Sequence, residues 1–81
     1  MIYSRQQDFL IQNLSTDLTA ILVEEQSKSI EQALNIVYNS ITFEKICDVR
    51  TGLYQESAGY NYDMLQDELR YGKFGKYGKY D

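Results

Sequence analysis

Apolar residues recur at three- and four-residue steps near the start of this chain, in the series Leu10, Leu14, Leu18 and Ile21 or Leu22, with Phe9, Ile11 and Val23 widening it. That period matches one face of an α-helix, and the positions opposite it, Asp8, Gln12, Asn13, Ser15 and Thr19, suit solvent. Ser4 and Gln7 make an S-x-x-Q capping box, in which each side chain can accept from the other residue's backbone amide. A first amphipathic helix is therefore predicted from residue 4 to about residue 25.

The segment QSKS interrupts the pattern, and a second capping box, Ser29 with Gln32, restarts it. Ile30, Ala33, Leu34, Val37 and Ile41 follow at helical spacing, which predicts a second helix over residues 30–39 with these side chains on its buried face. Asn39 and Ser40 can close it. Thr42 can cap a short third helix, FEKICDV, whose Phe43, Ile46 and Cys47 share a face. Gly52 marks a turn, after which Leu53 and Tyr54 read as extended chain. Ser57 then caps a fourth helix with Tyr60, Met64 or Leu65, and Leu69 as its buried stripe, and Gly72 stops it. No Asn-Gly or Asp-Gly hairpin signal occurs. The expected fold is all-α: a small bundle of three to four helices in residues 1–71, and an extended tail in residues 72–81.

Composition narrows the function classes. At 81 residues the chain supports one domain, which buries only about 60 to 65% of its unfolded surface. No proline, 43% hydrophobic residues and 14% aromatics favour a folded body over a disordered one. Histidine is absent and Cys47 is the single cysteine, so neither an intramolecular disulfide nor a Cys/His zinc site is available, and no metal or cofactor is expected. The N-terminal stretch MIYSRQQDF lacks the apolar core of a signal peptide, and no run approaches a membrane span. A reducing, cytoplasmic location is expected, with no membrane partner.

Candidate chemistry is sparse. Cys47 has no histidine to take its proton and reads as a buried structural residue. Asp63, Asp67 and Glu68, like Glu24 and Glu25, read as solvated helix surface rather than acid-base or metal groups. No Gly-rich loop leads into Lys and Ser or Thr, so no phosphate cradle is indicated. In LYQESAGYNY, Ser57 and the amides beside Gly59 could take an anion at a helix start. The preferred reading has Ser57 capping its own helix while Tyr54 and Tyr60 pack the core. The chain is not expected to be an enzyme.

Charge changes the picture at the C-terminus. Residues 1–71 hold five basic and eleven acidic side chains, whereas residues 72–81 hold Lys73, Lys76 and Lys79 against Asp81 alone. The tail YGKFGKYGKYD repeats aromatic-Gly-Lys with a period of three. In a polyproline II shape Tyr71, Phe74, Tyr77 and Tyr80 would form one ridge and Lys73, Lys76 and Lys79 another. These seven residues are the candidate partner-binding set. Alternating aromatics and lysines can stack on bases and neutralise phosphates, but three lysines make a weak, salt-sensitive anchor and the acidic body repels a polyanion. Docking on protein, with the aromatics in a groove and the lysines facing acidic groups, is preferred.

The motifs ALNIVYNS, TFEKI, TGLYQESAGY and DMLQDEL, within residues 30–69, resemble a family of small uncharacterised bacterial all-helical proteins. The resemblance implies a compact helical domain that ends soon after DEL, often encoded beside genes of toxin-antitoxin type, with no established activity. It covers about half the chain and is silent on the tail. Taken together, the expected function is a non-catalytic protein-interaction module that engages a protein partner or a second copy of itself, in part through its C-terminal tail. The alternatives are an accessory protein that neutralises a toxin-like partner and a weak binder of single-stranded nucleic acid.

Overall fold

In the structure, a computed structural model that describes residues 4–72, four α-helices and two 3₁₀ turns follow one another, with no strand among the described residues. Helix α1 spans Arg5–Gln26. The Ser4 Oγ accepts from the Gln7 amide at 3.1 Å, and Gln7 Oε1 accepts from the Ser4 amide at 3.0 Å, so the predicted capping box is complete. The helix ends at Ser27, which takes the left-handed conformation with φ 55°. Two residues later the same device starts α2, Ile30–Tyr38, with Ser29 and Gln32 exchanging bonds of 3.1 and 3.0 Å.

Helix α3 covers Ile41–Cys47 and is capped by Ser40, whose Oγ accepts from the Phe43 amide at 3.0 Å, rather than by Thr42. Thr42 lies one position inside the helix and is fully buried. The chain then makes the 3₁₀ turns Val49–Thr51 and Leu53–Gln55, hinged at Gly52 with φ 71°. Leu53 and Tyr54 are thus helical in their local geometry, not extended as expected. The Thr51 hydroxyl holds the corner by donating to the Lys45 carbonyl at 2.7 Å and accepting from the Leu53 amide at 3.1 Å. Helix α4, Ala58–Tyr71, begins at Ser57, which accepts from the Tyr60 amide at 3.1 Å. It ends at Gly72, φ 77°, as the glycine predicts.

Leu14, Leu18 and Leu22 of α1 point into the core with Ile11, where they meet Ala33 and Val37 of α2, Ile46 of α3, Leu53, and Tyr62, Met64 and Leu65 of α4. Helix α1 packs against α2 and α4, and α3 packs against α4 and the second 3₁₀ turn. At about 33 Å, 22 residues of helix account for the longest dimension of the molecule, 33 × 28 × 19 Å. A closed set of hydrogen bonds fastens its far end to α4. Gln26 Nε2 donates to the Tyr62 hydroxyl at 3.0 Å and to Gln66 Oε1 at 3.1 Å, and Gln66 Nε2 donates to the same hydroxyl at 2.9 Å.

The buried stripes differ from those expected in three places. On α4, Asn61 and Tyr62 turn inward, while Tyr60 and Leu69 stay exposed. On α1, Ser15 and Thr19 are buried, not solvated, and Phe9 is 65% exposed. On α2 only Ala33 and Val37 are buried, and Ile30, Leu34 and, just beyond the helix, Ile41 remain exposed. No helix among the described residues is long and apolar enough to cross a membrane.

Candidate functional site

The uncovered side chains of α2 form one wall of a groove. Only three residues, 27–29, link α1 to α2, so the helices are held side by side as an antiparallel hairpin. Ile30, Leu34 and Tyr38, spaced four residues apart, stand on one stripe of α2 and face Thr16, Thr19, Ala20 and Val23 of α1 across a groove of about 420 Å³. Ile30 is 66% exposed and Tyr38 53%. Small side chains on α1 and large ones on α2 make the trough lopsided, which leaves room for inserted side chains of another segment.

The Ser15 and Thr19 hydroxyls on the α1 wall are satisfied within their own helix. Thr19 Oγ1 donates to the Ser15 carbonyl at 2.7 Å, and Ser15 Oγ donates to the Gln12 carbonyl at 2.8 Å. With their polar atoms occupied, these residues behave as small, largely apolar wall elements, and a ligand need not satisfy them. The Tyr38 hydroxyl donates to Ser15 Oγ at 3.2 Å, and its ring meets Phe43 edge-on, centroids 4.9 Å apart at 82°. Tyr38 thereby closes one end of the groove. Glu24 joins the lining at the other end.

The α1–α2 pair carries Asp8, Asp17, Glu24, Glu25 and Glu31 against Arg5 and Lys28, so the walls of the groove sit on an acidic pair of helices. Among the described residues, a carboxylate with a lowered pKa lies elsewhere. Asp48 is held down at about 2, first by side-chain hydrogen bonds from Arg50, at 3.0 and 2.8 Å, and next by the Arg50 backbone amide. Both partners are on the surface, and the pair orders the first 3₁₀ turn.

Of the candidate partner-binding residues, Tyr71 is the last residue of α4, is exposed, and has the Arg70 guanidinium 6.0 Å from its ring centroid. Lys73, Phe74, Lys76, Tyr77, Lys79 and Tyr80 lie outside the described residues. Cys47 is half-buried and packs against the core from its edge, a less enclosed position than the one expected for it. Among the described residues no group of three His, Cys, Asp or Glu side chains gathers in metal-binding proximity. Ser57 caps α4, as preferred over the anion-site reading.

Two features escaped the sequence reading. Glu68 is no idle surface carboxylate: it accepts from the amides of Ile41 and Thr42 and from the Thr42 hydroxyl, all at 2.8 Å, and so ties α4 to the start of α3. The groove is the other. Its signal was present in the apolar stripe of α2, which is wider than a helix of nine residues lying on one neighbour can bury. Comparison with models of known families, with curated proteins and with solved structures finds no match.

Proposed function

We propose that this chain is a non-catalytic protein-interaction module whose docking surface is the groove between α1 and α2. The observation that carries the reading is the stripe of Ile30, Leu34 and Tyr38, left open to solvent beside the small residues Thr16, Ala20 and Val23. Folding gains nothing from an exposed isoleucine at 66%, whereas docking an apolar segment there removes that surface from water at about 25 cal/mol per Å². The acidic helices on either side favour a segment that brings positive charge with its apolar anchors. Helix-in-groove or extended-segment binding of this kind reads its ligand through a few regularly spaced side chains.

Selection of displayed random peptides against the folded chain tests this. The expected binders share two or more aromatic or aliphatic anchors with lysine or arginine between them, and Leu34→Asp abolishes their binding. Failure to select any peptide, or binders indifferent to Leu34→Asp, would remove the groove as a docking surface. Single-stranded nucleic acid that binds with a steep salt dependence, and survives Leu34→Asp, would favour the nucleic-acid alternative instead.

A further inference from the structure

We propose that the segment taken by the groove between α1 and α2 is a basic amphipathic α-helix of a partner protein, which lies along the groove and completes a layer of three helices. This rests on the docking reading above and names the form and charge of the ligand that the surface takes. Three features of the molecule support it.

The first is the shape of the walls. Ile30, Leu34 and Tyr38 form a row at four-residue steps on α2, and Thr16, Ala20 and Glu24 form a row at the same step on α1. Rows of this kind are the ridges between which a neighbouring helix seats its own side chains. From Ile30 to Tyr38 the α2 row runs about 12 Å, a little over two helical turns. A helix with apolar side chains at i, i+4 and i+7 covers about 10.5 Å and matches that length. Its largest side chain fits over Ala20, the smallest residue of the α1 wall.

The second is hydrogen bonding. Both walls are α-helices whose backbone groups bond within the helix, and the hydroxyl protons of Ser15, Thr19 and Tyr38 are all directed to oxygens inside the molecule. An extended segment seated between them loses water from its backbone amides and meets no ladder of acceptors in exchange. A helix arrives with its backbone bonds already made.

The third is charge. Glu24 lines the groove, and Asp17, seven residues earlier, stands on the same side of α1 two turns away. Glu31 likewise stands seven residues before Tyr38, on the groove side of α2, and all three carboxylates are exposed. The lining residues include no cation. Both rims are therefore acidic. A second copy of the α1–α2 pair would set these carboxylates against their own kind, whereas a helix with lysine or arginine on each side of its apolar stripe is complementary to them.

The test uses the full chain and a synthetic peptide of about 18 residues, long enough to be helical in water, with leucines at i, i+4, i+7 and i+11, lysines flanking that stripe and alanine elsewhere. It should bind and move the methyl NMR signals of Ala20, Val23, Ile30 and Leu34. The same peptide with glutamate in place of lysine should bind at least about fivefold more weakly at low salt, and the double variant Asp17→Lys, Glu24→Lys should reverse that order. Ala20→Phe fills the trough without changing its charge and should abolish binding of both. A peptide of identical composition, rearranged so that leucines alternate with other residues, should not bind. Equal binding of the rearranged peptide overturns the helix, and an order of affinity unchanged by the charge reversal overturns the complementarity. Binding that survives Ala20→Phe places the peptide elsewhere and overturns the proposal. Groove signals that shift on dilution together with a doubled mass put a second copy in the groove and overturn it as well. Leu34-dependent binders from the display selection that lack both the helical period and the cations leave the docking surface standing and remove only this inference. If neither the designed nor the displayed peptides bind, both readings fall.

Discussion

Glu68 caps a helix to which it does not belong: its two carboxylate oxygens take the amides of Ile41 and Thr42, the first two of α3, and one of them also takes the Thr42 hydroxyl. Helix α3 has only seven residues and contributes a single fully buried aliphatic side chain, Ile46, so its position depends on such polar ties more than that of α1 does. Removing the carboxylate leaves the Thr42 hydroxyl buried without its acceptor. Glu68→Ala should cost about 2 kcal/mol, lowering the melting temperature by roughly 10 °C. Glu68→Gln retains one accepting oxygen and should cost less. Thermal melts followed by circular dichroism decide the order of the three proteins.

Asn61 holds the corner before α4 in the opposite sense, as a donor. Its buried Nδ2 donates to the carbonyls of Leu53 at 3.0 Å, Ser57 at 3.1 Å and Glu56 at 3.5 Å, while its Oδ1 has no partner among the described residues. Asn61→Ala should destabilise by about 2 kcal/mol. Asn61→Asp is nearly the same size but brings a carboxylate against three carbonyl oxygens, and at neutral pH should cost about 3 kcal/mol or more. Denaturant melts giving Asp as the milder change would contradict this assignment.

Asp48 contributes to the acid limb of the stability profile. Its carboxyl is lowered from the ordinary 3.8 to about 2 in the folded chain, so the folded state holds the proton more weakly than the unfolded one. The contribution is therefore complete above pH 3.8 and disappears as the pH falls through about 2. Solvent screens the pair, and the effect is small. Asp48→Asn should bring the melting temperature closest to wild type at the acid end of that window and leave the larger gap near neutrality.

Two neighbouring faces of α2 should respond oppositely to enlargement and charge. Ala33 is fully buried against α1, so Ala33→Leu overpacks the core and should cost about 1 to 3 kcal/mol. Ile30→Glu, on the exposed stripe, should change stability by no more than about 0.5 kcal/mol while abolishing peptide docking in the groove. Chemical denaturation compares the two directly. A loss at Ile30 as large as that at Ala33 would mean that the stripe packs against something in the folded chain.

The helix starts were legible because each serine cap acts within its own three or four residues. Ser4, Ser29 and Ser57 all sit where the local pattern puts them. The sequence favours Thr42 over Ser40 as the cap because both lie within reach of the same helix start. What separates them is Glu68, 26 residues further on. Side-chain depth was legible only where one face meets one neighbour. Ser15 and Thr19 read as solvent-facing because periodicity says nothing of a second helix folding back over them. The open stripe of α2 reads as core for the same reason, since an apolar face looks alike in sequence whether or not a neighbour covers it.

The link of three residues between α1 and α2 has a kinetic consequence. The two walls of the groove are neighbours along the chain, so they can pair by closing a small loop, whereas α4 must return across more than 30 residues to meet α1. A hairpin of α1 and α2 formed in the transition state predicts that Ala33→Gly chiefly slows refolding and that Leu65→Ala chiefly speeds unfolding. Stopped-flow chevrons with both effects in the unfolding limb would rule that order out. In folding time the groove between α1 and α2 then precedes the core beneath it, and it is present in any chain in which those two helices have paired.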